Sequence, residues 1–217
     1  MQVEVGRAGL NEVAPKIGIL ALQGDWARHG ERLRELGVHS VEVTNPKDLI
    51  DIDGLIIPGG ESTTISRLIV SCGLEDPLSK MLRNDMPVLG TCAGLILLAS
   101  KVLDGRDDQL KFGVIDAVVK RNGFGRQVDS FEEMLEIETV GPDLFPGVFI
   151  RAPFVDGIGP NTQVLATTAT GVPVVLRQGS ALGCAFHPEL TGDLRIHQLF
   201  LSIVKSANNT VLPFSKS

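Results

Sequence analysis

At 217 residues the chain is long enough to bury a full core and corresponds to about one domain. Its 20 Lys+Arg against 26 Asp+Glu give a net charge of -6, which removes the basic face that a phosphate-backbone binder needs. Hydrophobic residues at 43% are too many for disorder, and with no Tyr, one Trp and nine Phe the core must rest on Val, Ile, Leu and Ala, leaving few platforms to stack a base or sugar.

Residues 1–15 carry Glu4, Arg7 and Glu12 among scattered apolar positions and read as an irregular arm without a signal-peptide core. Residues 16–22 then read as a buried strand. Residues 26–36 set Trp26, Leu33 and Leu36 near one helical stripe, with Gly37 as the stop. A second strand is expected at 38–43 and a turn at Asn45-Pro46. A third strand, 53–57, ends at Pro58-Gly59-Gly60, and helices follow at 63–71 and 75–84. Residues 87–90 form a fourth strand, with Cys92 at its end and an apolar helix through Gly94, Leu95, Leu97, Leu98 and Ala99 after it. Apolar runs alternating with helical patterns in this way mark βαβ units and a parallel sheet. The apolar run 95–99 is too short to span a bilayer.

The second half holds short β-branched stretches at 114–119, 135–140, 148–150, 164–167, 172–176 and 182–186, expected as antiparallel hairpins that complete the sheet. A last helix is expected at 193–205, with a polar tail after it. The expected fold is a single three-layer α/β domain over residues 16–206, its central sheet mostly parallel with an antiparallel extension, followed by a tail at 207–217.

Gly90-Thr91-Cys92-Ala93-Gly94 has the G-x-nucleophile-x-G form, with cysteine as the nucleophile, at a strand-to-helix junction. Small neighbours are needed because the sharp turn strains the nucleophile's backbone, and the following helix aims free N–H groups at the sulfur, a setting that favours a thiolate. Cys72 and Cys184 read as packing residues. Three cysteines at wide spacing fit a reducing compartment, so a cytoplasmic protein is expected.

A cysteine nucleophile needs a base oriented by a third group. Of the four histidines, His29, His39 and His197 lack a chemical neighbour pattern and read as surface or partly buried residues. His187-Pro188-Glu189 follows an apolar strand, and in extended backbone residues i and i+2 point the same way, so Glu189 can hold one ring nitrogen while the other faces the thiol. The H-x-E pair lacks the P-C-x-x-C of a zinc deaminase, and Gly59-Gly60-Glu61-Ser62-Thr63 lacks a P-loop lysine. No metal or cofactor is expected. Two glycines in Pro58-Gly59-Gly60-Glu61-Ser62-Thr63-Thr64 permit an inward N–H as an oxyanion donor beside that of Ala93; an ordinary turn with Ser62 capping the helix is compatible with that role. Arg121, Arg126 and Arg151 stand beside glycine or proline turns and suit bidentate capture of a small carboxylate, although on spacing alone such arginines are more often surface ion pairs.

Six ordered blocks carry a resemblance. They are Leu20-Ala21-Leu22-Gln23-Gly24, Pro58-Gly59-Gly60-Glu61-Ser62-Thr63-Thr64, Gly90-Thr91-Cys92-Ala93-Gly94-Leu95, a block from Arg121-Asn122 through Phe124-Gly125-Arg126-Gln127 to Asp129-Ser130-Phe131, Phe149-Ile150-Arg151-Ala152-Pro153 and His187-Pro188-Glu189-Leu190. Over roughly residues 16–205 the chain resembles the family of glutaminase subunits of pyridoxal 5′-phosphate synthase, within the class I glutamine amidotransferases of flavodoxin-like fold.

The resemblance implies that Cys92 attacks the amide of L-glutamine, that His187 oriented by Glu189 protonates the ammonia, and that a γ-glutamyl thioester is then hydrolysed. It puts the N–H groups of Gly60 and Ala93 at the oxyanion, and Gly60, Glu61, Ser62, Arg121, Ile150 and Arg151 around the glutamine. It sets Gln23 near the interface with a (β/α)₈-barrel synthase subunit, which receives the ammonia, builds the cofactor from a pentose phosphate and a triose phosphate, and switches the glutaminase on by ordering the loop at Gly59-Gly60. The implied assembly is a hetero-oligomer, without nucleic acid or membrane. A glutaminase serving another acceptor, such as imidazole glycerol phosphate synthase, fits the Gly-Glu-Ser-Thr-Thr and Ile-Arg-Ala-Pro blocks less well. A cysteine-based sensor or chaperone on the same scaffold would need neither Glu189 nor the arginines.

Overall fold

The computed structural model describes residues 14–121 and 130–210. The first half alternates as its apolar pattern predicts: β1 (Ile17–Leu20), α1 (Trp26–Glu35), β2 (Ser40–Val43), β3 (Gly54–Ile57), α2 (Ser62–Ser71), α3 (Glu75–Arg83), β4 (Val88–Thr91) and α4 (Ala93–Leu98). β1, β3 and β4 are buried along their whole length, which is why they read as continuous apolar runs. Gly37 stops α1 with a left-handed φ of 70°, and a short 3-10 turn, Pro46–Leu49, is boxed by reciprocal bonds between Asn45 and Asp48.

The second half is less regular. It contains β5 (Ala99–Val102), β6 (Ile115–Lys120), β7 (Ser130–Leu135), β8 (Phe145–Ile150), β9 (Phe154–Ile158), β10 (Gln163–Thr167), β11 (Pro173–Gln178), β12 (Ala181–Cys184) and α5 (Arg195–Thr210). The main sheet has the order β10-β11-β12-β4-β3-β1-β2. Its pairs from β12 to β2 are parallel, and β10-β11-β12 is the antiparallel extension.

Three expectations are corrected here. The later strands do not all complete the main sheet: β5-β6-β9 and the β7-β8 hairpin are separate small sheets. The strand expected at 135–140 lies earlier, at β7, and Glu138–Val140 is a 3-10 turn. β7 alternates Glu132 and Met134 with less exposed positions, so its signal is a period of two and not an apolar run. Finally, α5 continues to Thr210, beyond the point where polar composition suggests a tail: the helix runs on past its last buried residue, Val204, with only Ala207 partly covered among residues 205–209.

Strand alternation fixes the layers. Gly54 and Ile57, three residues apart on β3, face opposite sides of the sheet. A Cβ on Gly54 would meet Phe200 and Val204 of α5, whereas Gly94 of α4 lies against Ile57. α1 joins the α5 side through a His29–His197 contact, and α2 packs with α4 on the other. Because β1, β3, β4 and β12 run parallel, the segments that follow them, carrying Gln23, Gly59, Cys92 and His187, emerge along one edge of the sheet.

The β7-β8 hairpin folds over that edge on phenylalanine. Phe149 stacks on Phe131 with centroids 4.4 Å apart and meets the edge of Phe186 at 5.5 Å, while Phe145 lies 5.6 Å from Phe186. Phe149 is 1% exposed, so Phe149→Ala leaves a large cavity beneath the hairpin. A loss of about 3–5 kcal/mol in denaturant unfolding is expected, with a fall in Tm of about 10 °C. A change smaller than about 1 kcal/mol would show that the hairpin does not depend on this ring.

Candidate active site

The turn at Cys92 is built by steric exclusion. Cys92 continues the ladder one residue past β4, its N–H donating to the Cys184 carbonyl at 2.8 Å, and the backbone then turns through φ 48°, ψ −103° into α4. A Cβ on Gly90 would lie 2.6 Å from Leu98 Cδ1 and 2.7 Å from the Gly94 carbonyl carbon; one on Gly94 would run into the Ile57 carbonyl oxygen. The two glycines therefore let α4 press directly onto β3 and β4, and that pressure holds Cys92 in its strained conformation. Ala93 is the first residue of α4, so its N–H has no acceptor within the helix.

Across from the thiol stands His187, whose N–H donates to the Val148 carbonyl at 2.9 Å and whose Nδ1 lies 2.7 Å from Glu189 Oε1. The pair forms as expected but not on extended backbone: Pro188–Leu190 is a 3-10 turn, entered by a proline that favours its first position. With Nδ1 on the carboxylate, the ring's other nitrogen is left for the side of Cys92, whose sulfur favours charge on the imidazole. Burial disfavours charge on His187, but the Cys92 sulfur and the Glu189 carboxylate outweigh it and push the imidazole up to about 10. Burial likewise opposes charge on Glu189, yet His29 and His187 hold its carboxyl below the usual range. Cys92 is 5% exposed, His187 8% and Glu189 1%, so this charge pairing sits almost out of water.

The loop after β3 closes the site. A Cβ on Gly59 would overlap the His187 ring and come within 3.3 Å of Cys92 Cβ. Gly60 has φ 157°, where a Cβ would collide with Gln23 Oε1, and that same oxygen accepts the Glu61 N–H at 2.8 Å. Gln23 thus braces the Gly59-Gly60 turn from β1's loop.

The cap of α2 is Glu61, not Ser62. Its carboxylate accepts the N–H groups of Thr63 and Thr64 at 3.1 and 2.7 Å, and the Thr64 hydroxyl at 2.7 Å. It also pairs with Arg121 at 2.5 Å. The buried Ser62 hydroxyl instead donates to Gln109 at 3.0 Å. Arg121 is therefore brought to the loop that carries Gly60, Glu61 and Ser62. Ile150 enters from β8, its carbonyl 3.8 Å from the Cys92 sulfur, and Arg151 follows at a left-handed φ of 44°. Asn122, Phe124, Gly125, Arg126, Gln127 and Asp129 lie outside the described residues.

Sequence reading missed two groups. Gln109, in a stretch without a motif, is 4% exposed and also donates to Ser66 Oγ at 2.9 Å, locking the first turn of α2 from below. His29 and His197 are fully buried, and His29 reaches Glu189. The signal was the helical stripe itself, since His29 shares the 3–4 spacing of Trp26, Leu33 and Leu36. Cys184 is wholly buried, which pushes its thiol up, as befits a packing residue.

Residues 19–206 match the SNO glutamine amidotransferase family. The chain is 52% identical over 194 residues to "Pyridoxal 5'-phosphate synthase subunit PdxT" of Mycobacteroides abscessus, covering 89% of this chain and 100% of that one. It is 52% identical over 195 residues to the protein of the same name from Frankia alni, covering 90% and 98% of the two chains. A crystal structure of a glutamine amidotransferase superposes with a TM-score of 0.82 at 46% identity, covering 87% of this chain and 98% of that one. Among the described residues no helix is long and apolar enough to cross a membrane.

Burial opposes charge on Glu61, but the Thr64 hydroxyl, the N–H groups of Thr64 and Thr63, and Arg121 hold its carboxyl down to about 2, against an ordinary 4.5. A carboxyl lowered on folding stabilises the protein fully above pH 4.5 and loses that contribution as pH falls from 4.5 towards 2. Its side chain is 43% exposed, so screening keeps the effect small. Glu61→Gln is expected to cost about 1 kcal/mol in denaturant unfolding at pH 7, with a gap to wild type that narrows below pH 4.5. A gap that stays constant down to pH 3 would remove the charge from this account.

Proposed function

We infer that the chain, which belongs to the SNO glutamine amidotransferase family, is the glutaminase subunit of a pyridoxal 5′-phosphate synthase, releasing ammonia from L-glutamine for vitamin B6 biosynthesis. The observation that carries the chemical reading is the line Cys92–His187–Glu189 at the carboxyl edge of the sheet, with His187 Nδ1 2.7 Å from the Glu189 carboxylate.

In the proposed reaction the Cys92 sulfur attacks the side-chain amide carbon of glutamine. The negative oxygen of the tetrahedral adduct takes hydrogen bonds from the N–H groups of Gly60 and Ala93. His187 gives its proton to the departing nitrogen, so the C–N bond breaks with ammonia as the leaving group and a γ-glutamyl thioester remains. Now neutral, His187 takes a proton from water as its oxygen attacks the thioester; glutamate leaves and the charged pair is restored. Glu189 keeps the imidazole in the required tautomer throughout. Gly60, Glu61, Ser62, Arg121, Ile150 and Arg151 surround the glutamine, with arginine suited to its α-carboxylate and the Glu61–Arg121 pair setting the guanidinium in place.

The ammonia passes to the synthase subunit, a (β/α)₈ barrel. Gln23, which touches both Gly60 and the Glu61 N–H, is suited to carry the partner's docking to the oxyanion loop. The free thiols of Cys72, Cys92 and Cys184 fit a cytoplasmic setting.

Glutamate release, measured for the chain alone and with the synthase subunit, tests this reading. Cys92→Ala is expected to abolish turnover and His187→Asn to reduce it by at least about a thousandfold. Full activity in Cys92→Ala, or no release by the wild-type pair, would overturn it. Gly59→Ala is expected to lower kcat by about a hundredfold, because the added methyl displaces the His187 ring; near wild-type activity would show that the loop and ring can move apart at little cost.

A further inference from the structure

Behind the proposed triad lies a second line of buried polar groups that the reaction above does not use. Glu189 Oε1 is taken by His187, while Oε2, also buried, has no full hydrogen bond among the described residues. The group it faces is His29 Nε2, 3.4 Å away, with both side chains wholly buried. The same nitrogen lies 3.3 Å from the hydroxyl of Thr91, the residue before Cys92, and His29 Nδ1 lies 3.0 Å from His197 Nε2.

The carboxylate favours one wiring of this chain. Its oxygen can only accept, so a hydrogen on the His29 nitrogen that faces it is favoured over a lone pair, and that hydrogen is shared with the Thr91 hydroxyl oxygen. His29 Nδ1 is then a bare lone pair and must accept from His197 Nε2–H. That leaves His197 Nδ1 without a proton, which agrees with its being a buried nitrogen that has no partner. In this wiring, charging His29 would set two N–H groups against each other across 3.0 Å, and charging His197 would bury a proton on a nitrogen that has no partner.

We propose that His29, held by His197 as the neutral Nε2–H tautomer, is a positioning residue that steadies the second carboxylate oxygen of Glu189 and, through Thr91, the strand end bearing Cys92. The electrostatic surroundings agree. Burial lowers His29, with Glu189 and Asp25 opposing and His187 assisting. Burial takes His197 down to about 3, with His29 and Arg32 assisting and Glu189 opposing. Burial thus works against charge on both rings. The α1 and α5 helices thereby reach the chemistry, although neither touches the thiol. A histidine that merely filled space would have no preferred proton position, and a leucine could replace it.

The inference rests on the glutaminase reading for its kinetic arm only. In the complex with the synthase subunit, His29→Leu is expected to lower kcat for glutamate release about tenfold to a hundredfold, with KM for glutamine changed less than about twofold. Loss of the donor raises the Glu189 carboxyl, so the acid limb of the kcat/KM profile moves to higher pH. His29→Gln, whose amide N–H can take the place of Nε2–H, is expected to restore most of kcat and the wild-type limb. A leucine variant with wild-type kcat and pH profile overturns the proposal, as does a folded glutamine variant no better than leucine. Nitrogen-15 NMR of the unsubstituted chain tests the wiring without any assay. A neutral, Nε2-protonated His29 from pH 6 to 9 supports it, and an imidazolium or an Nδ1–H tautomer overturns it. Absence of glutamate release by wild type would sink the glutaminase reading and leave this NMR test standing.

Discussion

A carboxylate taken out of water is the constraint around which this molecule is arranged. Glu189 is 1% exposed, and an unpaired charge there would be costly enough to force protonation or local unfolding. Its charge is kept by what the fold delivers to it: the His187 ring on one oxygen and the His29 ring facing the other. Those two contacts involve the turn after β12, α1 and, through His197, α5, so the carboxylate that holds the imidazole also ties this edge of the sheet to one helical layer. Stability and chemistry share the same atoms.

A second constraint is purely steric. Gly90, Gly94 and Gly59 each occupy a place where a methyl group would collide with backbone or with the His187 ring. Together they let β4, α4 and the loop after β3 come close enough for a sulfur, an imidazole and free N–H groups to share one small space. The strained backbone of Cys92 is held by this packing, and not by any hydrogen bond of its side chain to the helix.

The shortage of aromatic residues finds its sense in where the rings are used. Phe131, Phe145, Phe149 and Phe186 form one cluster that seats the β7-β8 hairpin over the carboxyl edge, and the hairpin brings the Ile150 carbonyl to the thiol. No ring is needed in the proposed pocket itself, since glutamine is small and polar and is met by N–H groups, arginine and carboxylate. In the same way Glu61 serves two ends, capping α2 while fixing Arg121.

The sequence by itself determined the parallel half of the fold, because fully buried strands are continuous apolar runs and their helices carry a 3–4 stripe; it also determined the turn at Cys92, since its two glycines lie two positions to either side of that cysteine. The pairing of His187 with Glu189 was legible too, being local, although the turn that makes it was not. Tertiary structure alone decided the rest. The separation of β5-β6-β9 and β7-β8 from the main sheet depends on which edges meet. Glu61 displaced Ser62 as cap because Arg121, sixty positions away, and Gln109 compete for the two side chains. His29 and His197 lie 168 residues apart, and each alone is an ordinary histidine on an amphipathic helix. What joins them in the proposed positioning role is burial behind one carboxylate, and burial of a polar group depends on every element around it, which no local pattern records.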